Sequence, residues 1–105
     1  MNSNLIVEIA PFTVADGVDE HALVAASDAV QSAFLKHAKG WVGRFLLKGP
    51  NNQWMDIVLW RSLAEAEAAA KDVTSHPACL KYFELMDQTT VEPPKHFEQI
   101  KEYRT

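Results

Sequence analysis

The sequence predicts an α+β fold of the ferredoxin-like βαββαβ type, an antiparallel sheet with helices on one face, and two observations support it. First, Gln53 to Trp60 is apolar on both faces of an extended chain, which is typical of a central strand covered on both sides. Second, the strand-like and helix-like stretches follow the order strand, helix, strand, strand, helix, strand. The 105 residues, 48% of them hydrophobic, are enough for one globular domain spanning residues 1–105.

The N-terminal part of the chain carries the first strand and the first helix. Leu5 to Phe12 is rich in apolar and β-branched residues, and Pro11 marks the end of that strand. Asp19 is a good N-cap residue for a helix, and Gly40 is placed to end it. Residues at helical spacing predict the buried stripe of this helix: Leu23, Ala26, Val30, Ala33, Phe34 and His37.

The middle of the chain predicts a β-hairpin. Trp41 to Lys48 is the next strand, and the Gly-Pro-Asn-Asn sequence at residues 49–52 is a turn that leads back into the central strand. Strict alternation predicts one face with Trp41, Phe45 and Leu47 and the opposite face with Val42, Arg44 and Leu46.

A capping box predicts the start of the second helix. Ser62 can accept a hydrogen bond from the backbone three residues on, while Glu65 reaches back to the cap. Pro77 interrupts the alanine-rich helix that follows, and either Ser75 or His76 is placed to cap a second helical piece. We therefore expect a second helix in two pieces.

The closing strand and the open face of the sheet determine the predicted assembly. Lys95 to Tyr103 fits both a strand and a helix, and we predict a strand because the order of elements lacks only that. In this topology both helices lie on one face of the sheet. Since the central strand is apolar on both faces, the open face would expose a large apolar patch. We therefore expect a homodimer whose sheets pack face to face around a two-fold axis.

Composition argues against several classes of function. The net charge is −4 and no Lys/Arg cluster is present, so a nucleic-acid partner is not expected. The single Cys79 cannot form an internal disulfide, and we find no signal peptide or long apolar run, so we expect a cytoplasmic protein without a membrane partner. Without a glycine-rich phosphate loop, a paired cysteine motif or a His/carboxylate cluster, we expect no cofactor and no metal.

Several segments resemble one known family. These segments are Gly40 to Arg44, Trp54 to Leu63 with the alanine-rich helix after it, Ser75 to Pro77, Leu85 to Asp87, and His96 with Phe97. Over nearly the whole chain they resemble the antibiotic biosynthesis monooxygenase-like family of dimeric α/β barrels. The resemblance implies a pocket between sheet and helices that is lined by a Trp near the end of the central strand, and Trp60 matches that position. The superfamily includes cofactor-free quinone-forming monooxygenases, haem-degrading enzymes, isomerases and members without an assigned activity.

The haem-degrading branch resembles this chain less. Its pattern combines an Asn in the first strand, the same Trp, and a His on the second helix soon after it. Here Asn4 lies at the very start of the first strand, and the first His after Trp60 is His76, at the proline break. This departure argues against haem.

Three residues are candidates for accepting a proton. Asp56 is a carboxylate on an apolar strand that could act as a general base. Alternatively, it could pair with Arg44 on the neighbouring strand or bind a backbone group near the hairpin. His76 and His96 could deprotonate a phenolic substrate, because imidazole titrates near neutral pH. Alternatively, His76 caps a helix and His96 faces solvent.

Together these residues favour one function and leave a second open. We expect a cofactor-independent monooxygenase-like protein that acts on a small aromatic or polyketide-like compound. Trp60 is the expected substrate-binding residue, and Asp56, His76 or His96 would assist deprotonation. The alternative is a non-catalytic small-ligand-binding or stress-response protein of the same fold. Cys79 is expected to be a buried, unreactive thiol.

Overall fold

The computed structural model describes residues 4–105, which form a four-stranded antiparallel sheet and three α-helices. The strands are β1 (Ile6–Thr13), β2 (Trp41–Lys48), β3 (Gln53–Trp60) and β4 (Lys95–Glu98), and the helices are α1 (Glu20–Ala33), α2 (Leu63–Val73) and α3 (Pro77–Glu84). The strand order across the sheet is β2-β3-β1-β4, so β3 and β1 lie in the centre. This arrangement confirms the predicted ferredoxin-like fold, and the second helix is divided into α2 and α3 as expected.

Hydrogen bonds at the predicted caps explain where two helices begin. The Asp19 carboxylate accepts a hydrogen bond from the Ala22 N–H at 2.7 Å, which caps α1. The Ser62 hydroxyl accepts from the Glu65 N–H at 3.2 Å and donates to the Glu65 carboxylate at 3.0 Å. The Ser62 side chain therefore caps α2 as predicted, whereas the Glu65 carboxylate reaches back to the Ser62 hydroxyl rather than to a backbone N–H.

The chain after α1 departs from the predicted helix. A break at Phe34 is followed by a short 3-10 helix over Leu35–His37. The break rotates the residues after it, so Leu35 is buried whereas His37, predicted on the buried stripe, is exposed. Gly40 then has a φ of +84°, and the Glu65 side chain occupies the space that a Cβ at Gly40 would need. Glycine is required at this position on both grounds.

Strand β2 contains an irregularity that alternation did not predict. A bulge between Trp41 and Gly43 adds Val42 to the strand, so Trp41 pairs with Trp60 on the helix side of the sheet. The prediction that Trp41 shares a face with Phe45 was therefore wrong.

Strand β4 is shorter than predicted. Only Lys95–Glu98 is extended and paired, whereas the predicted strand continued to Tyr103. The regular pairing with β1 ends where Glu98 lies opposite Ile6, and one further hydrogen bond joins the Gln99 N–H to the Leu5 carbonyl at 2.8 Å.

The two faces of the sheet have different surroundings. One face packs against the helices, and the buried core between them includes Phe12, Leu23, Phe34, Trp54, Trp60 and Tyr82. The opposite face carries apolar residues from all four strands: Val7, Ile9, Phe45, Leu47, Met55, Ile57, Leu59 and Phe97. Of these, Phe45, Leu47 and Phe97 are 56%, 47% and 53% exposed.

Candidate functional site

A cavity of about 450 Å³ lies between the helix side of the sheet and the helices. Residues of β1, β2, β3, all three helices and the segment before β4 line it. Apolar side chains form most of its wall, among them Phe12, Phe34, Val58, Trp60, Phe83 and Met86. This volume, with an apolar wall and a few polar groups, is typical of a small-molecule site.

One carboxylate in the wall, Asp56, is fully engaged by neighbouring donors. Arg44 Nε donates to Asp56 Oδ1 at 2.9 Å, and the Tyr82 hydroxyl donates to Asp56 Oδ2 at 2.8 Å. Arg44 Nη1 also donates to the Ser27 carbonyl at 3.1 Å. Pairing of Asp56 with Arg44, one of the predicted arrangements, is therefore observed.

Burial and the charges in this network determine the protonation states of Arg44 and Tyr82, the two donors to Asp56. Burial lowers the pKa of Arg44, but the Asp56 carboxylate outweighs that effect and the net shift is upward. Burial and Asp56 both raise the pKa of Tyr82 far above its usual range. Arg44 is therefore charged, Tyr82 is protonated, and both remain donors to Asp56.

A second carboxylate in the wall, Glu8, has a different partner. Glu8 on β1 lies directly opposite His96 on β4, and His96 Nε2 is 3.0 Å from Glu8 Oε1. The two side chains are 16% and 19% exposed, so the alternative that His96 faces solvent does not hold. Burial raises the pKa of Glu8, and His96 and the Trp60 N–H offset only part of that rise.

Trp60 contributes an unused hydrogen-bond donor. Its side chain lines the cavity and is 1% exposed, and its indole nitrogen has no hydrogen-bond partner among residues 4–105. The N–H approaches the Glu8 carboxyl closely enough to favour its ionised form, but it does not reach hydrogen-bond geometry. A buried donor without a partner costs about 1–3 kcal/mol.

Two further predicted residues lie in structural positions. His76 caps α3, because its Nδ1 accepts a hydrogen bond from the Ala78 N–H at 3.2 Å, and its ring packs against Phe34 at 5.2 Å. His76 is not part of the cavity wall. Cys79 is 1% exposed, and burial raises the pKa of its thiol to about 11, so it stays protonated and unreactive at neutral pH.

The structure brings together only part of the predicted site. Asp56 and Trp60 both line the cavity. His96 does not line it, but it is hydrogen-bonded to Glu8, which does. Sequence reasoning missed Glu8 and Tyr82. Glu8 carried the same signal that identified Asp56, a carboxylate on an apolar strand, whereas no local pattern marked Tyr82 as a partner of Asp56.

Within residues 4–105, no helix is both long enough and apolar enough to cross a membrane. In the same residues, no three His, Cys, Asp or Glu side chains are grouped so that they could hold a metal ion.

Solved structures of similar fold cover almost the whole chain. A candidate antibiotic biosynthesis monooxygenase from Bordetella bronchiseptica superposes with a TM-score of 0.66 at 19% identity, over 95% of this chain and 99% of that one. SnoaB, a cofactor-independent oxygenase from Streptomyces nogalater, gives a TM-score of 0.62 at 16% identity, over 96% of both chains.

A third similar structure carries no assigned activity. It is a nipsnap family protein of unknown function from Agrobacterium tumefaciens, with a TM-score of 0.64 at 19% identity over 94% of this chain and 91% of that one. No family model and no curated protein matches the sequence. At these identities the structural matches show the fold alone. The chain therefore has the fold of the antibiotic biosynthesis monooxygenase-like proteins.

Proposed function

We propose that this chain is a homodimeric, cofactor-independent monooxygenase-like protein that oxidises a small aromatic or polyketide-like compound in the cavity between sheet and helices. The observation that carries the proposal is the cavity of about 450 Å³, whose wall is mostly apolar and includes the Trp60 side chain. SnoaB, which shares the fold, is described as a cofactor-independent oxygenase. That description supports the choice of reaction.

The proposed reaction needs a planar substrate with an acidic CH2 group that is either next to a carbonyl group or conjugated with it through an aromatic ring. Loss of the proton gives an electron-rich anion that reduces dioxygen, so that a CH2 group and O2 become a C=O group and water. The apolar wall excludes water, and the Trp60 N–H donates to the carbonyl oxygen on which negative charge develops. The anion is thereby stabilised where it forms.

The three predicted proton acceptors differ in access to such a substrate. Asp56 lines the cavity, but hydrogen bonds from Arg44 and Tyr82 occupy both of its oxygens. His96 reaches the cavity only through Glu8, and His76 lies outside the wall.

The Trp60 N–H provides the sharpest test of this function. Oxygen uptake is measured with a panel of anthrones and 2-tetralones for the unmodified protein and for Trp60→Phe, which keeps an aromatic ring but removes the donor. We expect kcat/KM to fall at least about tenfold. Trp41→Phe is the matched control, because Trp41 has an equally buried, unpaired indole nitrogen but does not line the cavity. No uptake with any compound, or equal rates for the two variants, would reject the proposed reaction.

The homodimer is proposed from the apolar open face of the sheet. Ile57 lies in its centre on β3, with Phe45 and Ile9 paired on either side. Covering this face with the same face of a second copy would remove a continuous apolar surface from water. Sedimentation analysis should find a dimer that Ile57→Lys converts to a monomer. A monomeric unmodified protein at micromolar concentration would contradict this assembly.

A second candidate function is ligand binding without catalysis. The full engagement of Asp56 favours it, because donors occupy both carboxylate oxygens and leave neither free to accept a proton from a substrate. In that case 1,8-dihydroxyanthraquinone binds and depends on the Trp60 N–H, while no anthrone in the panel is oxidised. Isothermal titration beside the oxygen-uptake assay separates the two functions.

A further inference from the structure

We propose that Glu8 is the proton-accepting residue of the cavity, that His96 positions it, and that the ligand presents a carbonyl oxygen to Trp60 and an acidic hydrogen to Glu8. The proposal rests on the proposed function only for its placement of the ligand in the cavity. It assigns a role to a residue that the sequence did not single out.

The sheet register places the three side chains together. Glu8 pairs with Val58 on β3 and with His96 on β4, and Trp60 is two residues from Val58. Residues two apart on a strand share a face, so Glu8 and Trp60 are diagonal neighbours on the cavity side. Both line the cavity, whereas His96 does not. His96 therefore contacts Glu8 from outside the cavity, and a ligand in the cavity contacts Glu8 and Trp60 directly.

The hydrogen bonds of Glu8 leave one oxygen free for this role. His96 engages Oε1, and Oε2 makes no hydrogen bond within residues 4–105. The neighbouring indole N–H is also without a partner in the same part of the chain. A free acceptor and a free donor side by side in an apolar cavity match a ligand that carries an acidic hydrogen next to a carbonyl oxygen.

The charges near Glu8 favour proton acceptance. His96 on β4 faces the carboxyl and stabilises its ionised form, whereas Asp56 on β3 opposes ionisation. The other ionisable residues of the wall are Arg44, Cys79, Tyr82 and Glu92. Burial is the largest influence and raises the pKa of Glu8, so this carboxylate is a stronger base than an exposed one.

The chemical step is a reversible proton transfer. A C–H bond of the ligand breaks, an O–H bond forms on Glu8 Oε2, and the electron pair stays on the ligand as an enolate. The enolate oxygen accepts a hydrogen bond from Trp60 Nε1. Reversal of the transfer returns a hydrogen to the same carbon, and exchange with water occurs while Glu8 carries the proton. No oxidant takes part in this step.

Anaerobic hydrogen exchange tests the step directly. The probe is 2-tetralone, whose C1 methylene group lies next to the carbonyl group, in deuterium oxide, and NMR follows deuterium entering that methylene group. We expect the unmodified protein to accelerate exchange over buffer and Glu8→Gln to lower the protein-dependent rate about a hundredfold. Glu8→Asp, with a shorter side chain, should give an intermediate rate. Glu67→Gln changes an exposed carboxylate on α2 and serves as the control.

The pH profile separates positioning by His96 from a merely structural contact. Exchange requires ionised Glu8, so its rate rises with pH through the pKa of that carboxyl. His96 lowers this pKa, and we therefore expect His96→Gln to move the rise to higher pH. His37→Gln, at an exposed histidine, should leave the profile unchanged. An unchanged profile in His96→Gln would reject the role of His96.

The outcomes also distinguish this inference from the proposed reaction. Exchange that depends on Glu8 without oxygen uptake would support the inference and reject the monooxygenase. Oxygen uptake that is unaffected by Glu8→Gln, or a protein that does not accelerate exchange at all, would overturn the inference.

Discussion

Two carboxylates line the same cavity on adjacent central strands, and their surroundings differ. Asp56 on β3 accepts hydrogen bonds from a guanidinium and a phenol, one on each oxygen. Glu8 on β1 has one bond, to a histidine, and a free oxygen beside an unpaired indole N–H. A buried carboxylate whose oxygens are all engaged stabilises the fold, whereas one with a free oxygen is available for chemistry. The hydrogen bonds that each carboxylate accepts therefore indicate a structural role for Asp56 and a chemical role for Glu8.

The largest expected effect is on stability when Asp56 is removed. Asp56→Ala leaves the buried Arg44 guanidinium without its partner, and breaking such a pair costs about 3–5 kcal/mol. Urea unfolding measures the loss, with Asp28→Ala on the exposed side of α1 as the control. A loss below about 1 kcal/mol would contradict the structural role of Asp56.

Removal of one donor to Asp56 should have a smaller effect. Tyr82→Phe keeps the ring but leaves Asp56 Oδ2 without its hydrogen bond, which costs about 1–3 kcal/mol. Tyr103→Phe, at a residue that is 83% exposed, should change stability by less than about 0.5 kcal/mol. Equal stability of the two variants in urea unfolding would show that Asp56 does not depend on Tyr82.

Glu8→Gln should have the smallest effect and the opposite sign. Burial raises the pKa of Glu8 above 4.5, so the folded state binds the proton more tightly than the unfolded state. Ionised Glu8 therefore lowers stability, a cost that is absent below about pH 4.5 and develops as pH rises through the folded pKa. Glu8→Gln should match the unmodified protein at pH 4 and be more stable than it at pH 7, because burial raises the pKa of Glu8.

Unfolding in urea at the two pH values checks this sign. A variant that is less stable than the unmodified protein at pH 7 would place Glu8 with Asp56 among the stabilising carboxylates. The expected gain in stability on Glu8→Gln would instead indicate that Glu8 serves the function of the protein at a cost in stability.

Much of the fold was predictable because its signals are local. Apolar residues on both faces of Gln53 to Trp60 predicted a central strand, and Asp19 and Ser62 marked the helix starts that the hydrogen bonds confirm. The bulge at Val42 could not be predicted in the same way, because it exists only in relation to the pairing of β2 with β3. The break at Phe34 likewise had no marker in the sequence.

The site was less predictable because its contacts join distant parts of the chain. Trp60 was found through the family resemblance, and the pairing of Asp56 with Arg44 follows from a hairpin of neighbouring strands. Glu8 and His96 are 88 residues apart, and β4 has to form before they meet. A short edge strand with an ambiguous pattern offered no way to derive that pair from the sequence.

A crystal structure of the protein with bound 1,8-dihydroxyanthraquinone tests the assigned roles most directly. We predict the carbonyl oxygen at about 3 Å from Trp60 Nε1 and the neighbouring hydroxyl group on Glu8, with the bonds of Arg44 and Tyr82 to Asp56 intact. A ligand that instead binds Asp56 and displaces Arg44, leaving Glu8 and Trp60 without contact, would contradict this division between the two carboxylates.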